Sequence, residues 1–155
     1  LSADNGTFVN PGTQELNFFF DNNHEVPNGS HIIVTDEDAA GNTNSTLMVL
    51  DEQGNNTLDI PTGALTEHNI GAIDLVFAED TELTLTPTDL EAMSANDNIL
   101  VIHGGGDDAV NFTGSTSLTG TTTIDGREYN VYDAGGDSQL IIDQDIRFNE
   151  PPSVI

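Results

Sequence analysis

The sequence predicts an all-β fold, an antiparallel β-sandwich with one short helix, and three features carry that expectation. Apolar blocks are short, rich in Val, Ile, Phe and Thr, and bounded by Gly, Asn, Asp or Pro. Several alternate: in Leu83-Thr84-Leu85-Thr86 the leucines share one side and the threonines the other, as in a half-buried strand. Asp125-Gly126, between Thr123-Ile124 and Arg127-Glu128-Tyr129, is a preferred type I′ turn joining two antiparallel strands.

Taken in order, strands are expected at residues 6–9, 15–20, 31–35, 46–50, 56–60 and 73–77. They continue at 82–86, 99–103, 109–112, 121–124, 128–132 and 140–143, with a weaker one at 146–148. Ile99-Leu100-Val101-Ile102 is apolar on both faces and reads as a central strand. Thr88 followed by Glu91 forms a capping-box pattern and predicts a helix over 88–94. Leu90 and Met93 then share the face turned to the sheet, and Asn96-Asp97-Asn98 ends the helix in turn chemistry. Tyr129 and Tyr132 read as packing aromatics.

Asp51-Glu52-Gln53-Gly54-Asn55-Asn56 carries no apolar residue and marks a linker or long turn. About four strands precede it, too few for a sandwich of ~7. The preferred organisation is a single composite domain over 1–155, in which segment 1–52 completes a sheet whose other strands come from 53–150. The alternative is two small β-units hinged at 52–56. No signal peptide opens the chain at Leu1, so it is read as a segment of something longer.

Charge bounds the function. Of 155 residues only two are basic, Arg127 and Arg147, against 27 carboxylates, for a net charge of −25. Compaction brings like charges together with almost no side-chain cation to pair them, so divalent cations or a high-salt medium must supply the neutralisation. Oxygen ligands suit Ca²⁺ rather than transition metals. A polyanion repels nucleic acid and anionic membrane, which removes both as partners. There is no apolar run of ~18 residues. Cysteine is absent, which excludes disulfides, zinc–thiolate sites and thiol nucleophiles together. The competing explanation of the acidity is a cytosolic protein from a halophile.

Two stretches carry a family resemblance. Ile33-Val34-Thr35-Asp36-Glu37-Asp38-Ala39-Ala40-Gly41-Asn42-Thr43, with Pro27-Asn28-Gly29-Ser30-His31 before it and residues 46–50 after, resembles the closing strands of bacterial immunoglobulin-like repeats. Those repeats fill giant type I-secreted adhesins of the calcium-binding RTX class. Residues 56–148 resemble another module of the same adhesins, through Leu83-Thr84-Leu85-Thr86, Asn98-Ile99-Leu100-Val101, Gly106-Asp107-Asp108-Ala109-Val110-Asn111, Tyr129-Asn130-Val131-Tyr132 and Leu140-Ile141-Ile142-Asp143. The resemblance implies a sandwich with immunoglobulin-like elements, in a non-catalytic, Ca²⁺-stabilised scaffold domain of a secreted adhesin. It also implies an extracellular location on the bacterial cell surface, a role in cell adhesion or biofilm, adjacent domains of one long chain as partners, and a monomer. The alternative within the class is a Ca²⁺-dependent glycan- or peptide-binding domain; the lack of tryptophan as a stacking platform weighs against it. One departure concerns the Gly-Gly-x-Gly-x-Asp nonapeptide of true RTX solenoids, of which Gly104-Gly105-Gly106-Asp107-Asp108 is only a fragment. A β-roll is therefore not expected.

The metal candidates follow from clustered oxygen donors. Asp36, Asp38 and Asn42 gather in one strand-to-turn segment, where strand alternation sends Asp36 and Asp38 to one face and Glu37 to the other. The plain alternative is an Asx turn closed by Asp38 and Asn42. Asp21 and Glu25 end a second cluster whose spacing falls short of an EF-hand loop, and Asp107 with Asp108 follows three glycines. Asp143 with Asp145, and Asp51 with Glu52, are lesser candidates. Histidines 24, 31, 68 and 103 lack metal-ligand spacing, and no Gly-x-Ser-x-Gly elbow exists, so no catalytic residue is expected.

Overall fold

A computed structural model describes residues 7–9, 16–18, 26–51, 57–58, 65–94 and 98–150. Its strands are β1 (Thr7–Val9), β2 (Leu16–Phe18), β3 (Ser30–Glu37), β4 (Thr43–Leu50), β5 (Ile70–Asp74) and β6 (Glu82–Leu85). After a helix α1 (Pro87–Met93) come β7 (Ile99–His103), β8 (Ala109–Phe112), β9 (Ser117–Ile124), β10 (Arg127–Asp133), β11 (Gln139–Asp143) and β12 (Arg147–Asn149). The fold is mostly β with one short helix. Seven strands form a large sheet in the order β3-β4-β5-β7-β11-β10-β9, three form a small sheet in the order β12-β8-β6, and β1 pairs with β2 alone.

The direction of pairing departs from the sequence expectation. β4, β5, β7 and β11 run parallel to one another, as do β6, β8 and β12. Among the described residues, antiparallel pairing is confined to β1–β2, β3–β4 and the β9–β10–β11 end of the large sheet. An antiparallel sandwich is thus corrected to a parallel centre flanked by hairpins. The chain winds from the large sheet to the small one and back: β5 leads to β6, β7 to β8, and β11 to β12. β4 leads likewise to Asp51 and Leu58, which bridge in parallel to Ala78 and Leu83. This is solenoid winding without the nonapeptide repeat of an RTX β-roll.

Inward ladders hold the coils together. In the large sheet Leu47, Ile73, Ile102 and Ile142 stand side by side, all essentially buried. In the small sheet Leu58, Leu83 and Val110 do the same, with Phe148 partly buried beside them. Both rows, with Leu90 and Met93 of α1, join one apolar cluster. Each such fully buried side chain stabilises by about 1.5–3 kcal/mol. On the outer face of the small sheet, the Asn111 amide donates to Glu82 Oε1 at 2.6 Å and the Asn149 amide to Asn111 Oδ1 at 2.9 Å, linking three coils.

Several local expectations hold. Leu83 and Leu85 are buried while Thr84 is exposed, β7 is central, and Tyr129 and Tyr132 are packed. Asp125 and Gly126 both take positive φ, 50° and 82°, as a type I′ turn requires. The helix ends at Met93 but starts earlier than expected. Thr86, not Thr88, is its N-cap, and the box closes with Asp89 rather than Glu91. Pro87 at the first helical position, which lacks an N–H to orphan, sets that start. The expected strand at 73–77 is shifted to β5, because Leu75 and Ala78 close a turn that leaves Phe77 exposed.

Candidate functional site

The chain turns from the large sheet to the small one at a corner built from 75–81 after β5, 104–108 after β7 and 144–146 after β11. Its carboxylates tie neighbouring coils together. Asp108, 1% exposed, accepts the Thr81 N–H on Oδ1 at 3.2 Å and the Gly105 N–H on Oδ2 at 2.8 Å. Asp107 Oδ2 accepts the Asp80 N–H at 3.4 Å. Asp143, 2% exposed, accepts the Asp145 N–H at 3.1 Å.

Both arginines of the chain converge here. Arg127 donates to the Gly104 carbonyl at 2.6 Å and pairs with Asp143 at 2.8 Å and, more loosely, with Asp145 at 3.9 Å. Arg147 donates its guanidinium N–H to the Asp107 carbonyl at 3.1 Å, while its main-chain N–H reaches the Asp108 carbonyl at 3.1 Å. The glycines make the approach possible: a Cβ on Gly104 would lie 2.7 Å from Asp108 Oδ2 and 2.8 Å from Ile146 Cδ1.

Burial raises the Asp108 pKa above the usual carboxylate value, with the Asp107 and Asp80 charges adding to it against the two N–H bonds. Beside the corner, His103 Nδ1 and Tyr129 OH lie 2.7 Å apart in a T-shaped ring contact. Burial, and then the Asp143 charge, raises the Tyr129 pKa.

The other candidates are placed as follows. Asp38 and Asn42 come together: Asp38 Oδ1 accepts the Ala40 and Asn42 N–H groups at 2.8 and 2.9 Å, and Oδ2 accepts the Asn42 side-chain amide at 2.8 Å. These bonds, the Asn42 side chain first, lower the Asp38 pKa. That is the Asx-turn geometry. Asp36 stands exposed on β3 across from Asn44. Asp21 and Glu25 lie outside the described residues, as does Glu52. Among the described residues no three carboxylate or imidazole side chains converge on a common point suited to a metal ion.

Depressions among the described residues include the following two. One, of about 30 Å³, lies between Asp51 and Thr81. The other, of about 210 Å³, is a groove between Pro27, Leu50 and Phe77. Neither reaches the roughly 300 Å³ at which small-molecule pockets begin. The sequence did not point to Thr81, Asp80 or the two arginines as site residues. The scarcity of cations was the available signal, since two arginines among 27 carboxylates pair where a carboxylate is most desolvated.

Comparisons with protein-family models, curated proteins and solved structures find no match for this chain.

Proposed function

We propose that the chain is a non-catalytic, Ca²⁺-stabilised structural module of a secreted bacterial adhesin of the RTX type, acting at the cell surface. It spaces or presents a ligand-binding module and contacts neighbouring domains of the same long chain, as a monomer. Within this reading the β3–β4 hairpin corresponds to the closing strands of an immunoglobulin-like repeat, and the coils after it to the second adhesin module.

The supporting observation is the stacking of Asp-bearing corners in a chain of 27 carboxylates whose two arginines both sit at one of them. Elsewhere, neutralisation must come from solution, and Ca²⁺ matches carboxylate and main-chain oxygen. Asp107 and Asp108, Asp38 and Asn42, and Asp36 are the residues on which the reading rests, with Asp21 and Glu25 as further donors.

Thermal melts in chelator, in millimolar Ca²⁺ and in about half-molar NaCl test it. Ca²⁺ in hundredfold excess over its Kd adds about 2.7 kcal/mol, or roughly 5–10 °C per site for a domain of this size. Screening by NaCl recovers only part of this. Full recovery in NaCl with no further gain from Ca²⁺ would defeat the proposal in favour of general salt adaptation. Chelator-sensitive hits on a glycan or peptide panel would shift the function from scaffold to receptor.

A further inference from the structure

Strand β9 closes one end of the large sheet, with β10 as its single strand neighbour among the described residues. In an antiparallel edge strand, alternate main-chain N–H and C=O groups face away from the partner and stay open to another strand. The side chains of β9 add no charge, since the run 109–124 holds no Asp, Glu, Lys, Arg or His. From Gly120 to Ile124 the register against β10 is regular, and Thr121, Thr122, Thr123 and Ile124 are β-branched residues suited to a strand. That stretch is about one ordinary strand length. Beside it Leu118 is 61% exposed.

Charge lies around this edge rather than on it. On β10, Glu128 pairs across from Thr123 and Asp133 across from Ser117, and Asp125 stands in the turn that joins the two strands. All three are exposed. Among the described residues none of them makes an ion pair, and Arg127 beside them is engaged with Gly104 and Asp143. Pairing puts Leu118, Thr121 and Thr123 on the same face as Tyr132, Asn130 and Glu128. A strand added to β9 lies two strand spacings, about 9.6 Å, from β10. The long stem of a lysine or arginine bridges most of that gap over the short Thr123 side chain. A basic strand therefore desolvates no charge beside its main chain and meets attraction one strand farther in. At the other end of the sheet, Asp36 and Glu37 lie in the edge strand β3 itself.

We infer that β9 is a docking edge for an extended, cationic peptide segment of another protein, which adds to the sheet as a further strand. A basic residue opposite Thr123 pairs with Glu128, and an apolar residue covers Leu118. A second copy of this chain does not fit that description, because it carries only two basic residues. The inference is independent of the Ca²⁺ dependence proposed above and holds in chelator.

The probe is an eight-residue peptide of alternating lysine and valine, blocked at both ends. It is titrated calorimetrically into the whole chain at low ionic strength, and amide hydrogen exchange locates it. Protection should rise within 120–124 and stay unchanged in β3. Binding should vanish when the probe is methylated at its peptide nitrogens, which keeps the charge and removes the strand donors, and when glutamate replaces lysine. Glu128→Gln should weaken binding about two- to fivefold, as for an exposed ion pair. Glu37→Gln removes the same charge at the far edge, beyond the screening length, and should leave binding unchanged. Undiminished binding of the methylated probe, or equal weakening by the two substitutions, would mean general attraction to a polyanion and would overturn the proposal. So would protection on β3, no binding at all, or dimers of the chain paired through β9 without the probe.

Discussion

Truncating Asp108 separates a corner held by its carboxylate from one held by sheet pairing alone. Asp108→Ala removes the acceptor of two main-chain donors, the N–H groups of Thr81 and Gly105. Thr81 is buried, so its stranded donor loses about 1–3 kcal/mol; Gly105 is half-exposed, and water replaces much of what it loses. Against this stands relief. The wild-type carboxylate is itself buried beside Asp107 and Asp80, which raises its pKa, and alanine removes that unfavourable charge. The two contributions leave a net loss of about 2 kcal/mol, or roughly 4–8 °C in Tm for a domain of this size.

Asp108→Asn keeps an acceptor oxygen and also loses the charge, so it should fall within about 1 kcal/mol of wild type. Urea unfolding at neutral pH, checked for an unchanged slope, reads both variants directly. An alanine variant within about 0.5 kcal/mol of wild type, as for an ordinary exposed substitution, would show that the carboxylate does not tie the coils. An asparagine variant worse than alanine would show that the corner does not tolerate the amide NH2 that replaces one of the two accepting oxygens.

Ile102→Ala should destabilise by about 2–5 kcal/mol in urea, since Ile102 is fully buried between Ile73 and Ile142, whereas Ile141→Ala on the outer face should lose far less. The pH dependence has opposite signs at two carboxylates. The raised Asp108 pKa makes the folded state bind the proton more tightly, so its contribution is present at low pH and is lost as pH rises from 3.8 through the folded value. The lowered Asp38 pKa contributes above 3.8 and is lost as pH falls through its folded value. Urea midpoints measured across pH should therefore show Asp108→Asn losing the falling component above 3.8 and Asp38→Asn the rising component below it. Gly126→Ala, at a φ of 82° that suits only glycine, should lower stability by about 1 kcal/mol, read as a shifted midpoint with the β9–β10 hairpin still folded by circular dichroism.

Local features were legible because short-range chemistry decides them. The Asp125-Gly126 turn, the Leu83/Leu85 face and the Leu90–Met93 pair each follow from a few adjacent residues. Strand direction was not legible, because an eight-residue alternation such as that of β4 is the same whether its neighbour runs parallel or antiparallel. The coils also hide their repeat. Ile73 is ten residues from its small-sheet counterpart Leu83, Ile102 eight from Val110 and Ile142 six from Phe148, and α1 and the β9–β10 hairpin interrupt the winding between them. With no fixed period, self-comparison gives no signal. The N-cap was missed by two residues because Thr86-Pro87 competes with Thr88 as the cap, and proline decides between them. At the site, Asp38 and Asn42 were legible as a pair, while the joining of Asp108 to Thr81 spans 27 residues and depends on a coil register that the sequence does not display.

Parallel winding also changes how the large sheet ends. A solenoid leaves an open strand at each end, and an open strand invites pairing with another chain. At one end β3 carries His31, Asp36 and Glu37 along its eight residues, and charges on an edge discourage further strands. At the other, β9 has no charged residue and lies within the uncharged run 109–124. Its register against β10 instead shifts at Gly120–Leu118, where the Thr119 hydroxyl donates to the Val131 carbonyl at 3.0 Å. Such a bulge bends and twists the edge away from a regular partner. The five residues from Gly120 to the Asp125-Gly126 turn remain in regular register, and along them the net charge of −25 opposes the approach of a second copy. The same polyanionic surface therefore also guards the uncharged edge at β9. Under the proposed Ca²⁺ reading, ion binding at discrete corners would relieve repulsion inside the fold while leaving most of that outward charge in place, whereas general screening by salt would weaken both at once.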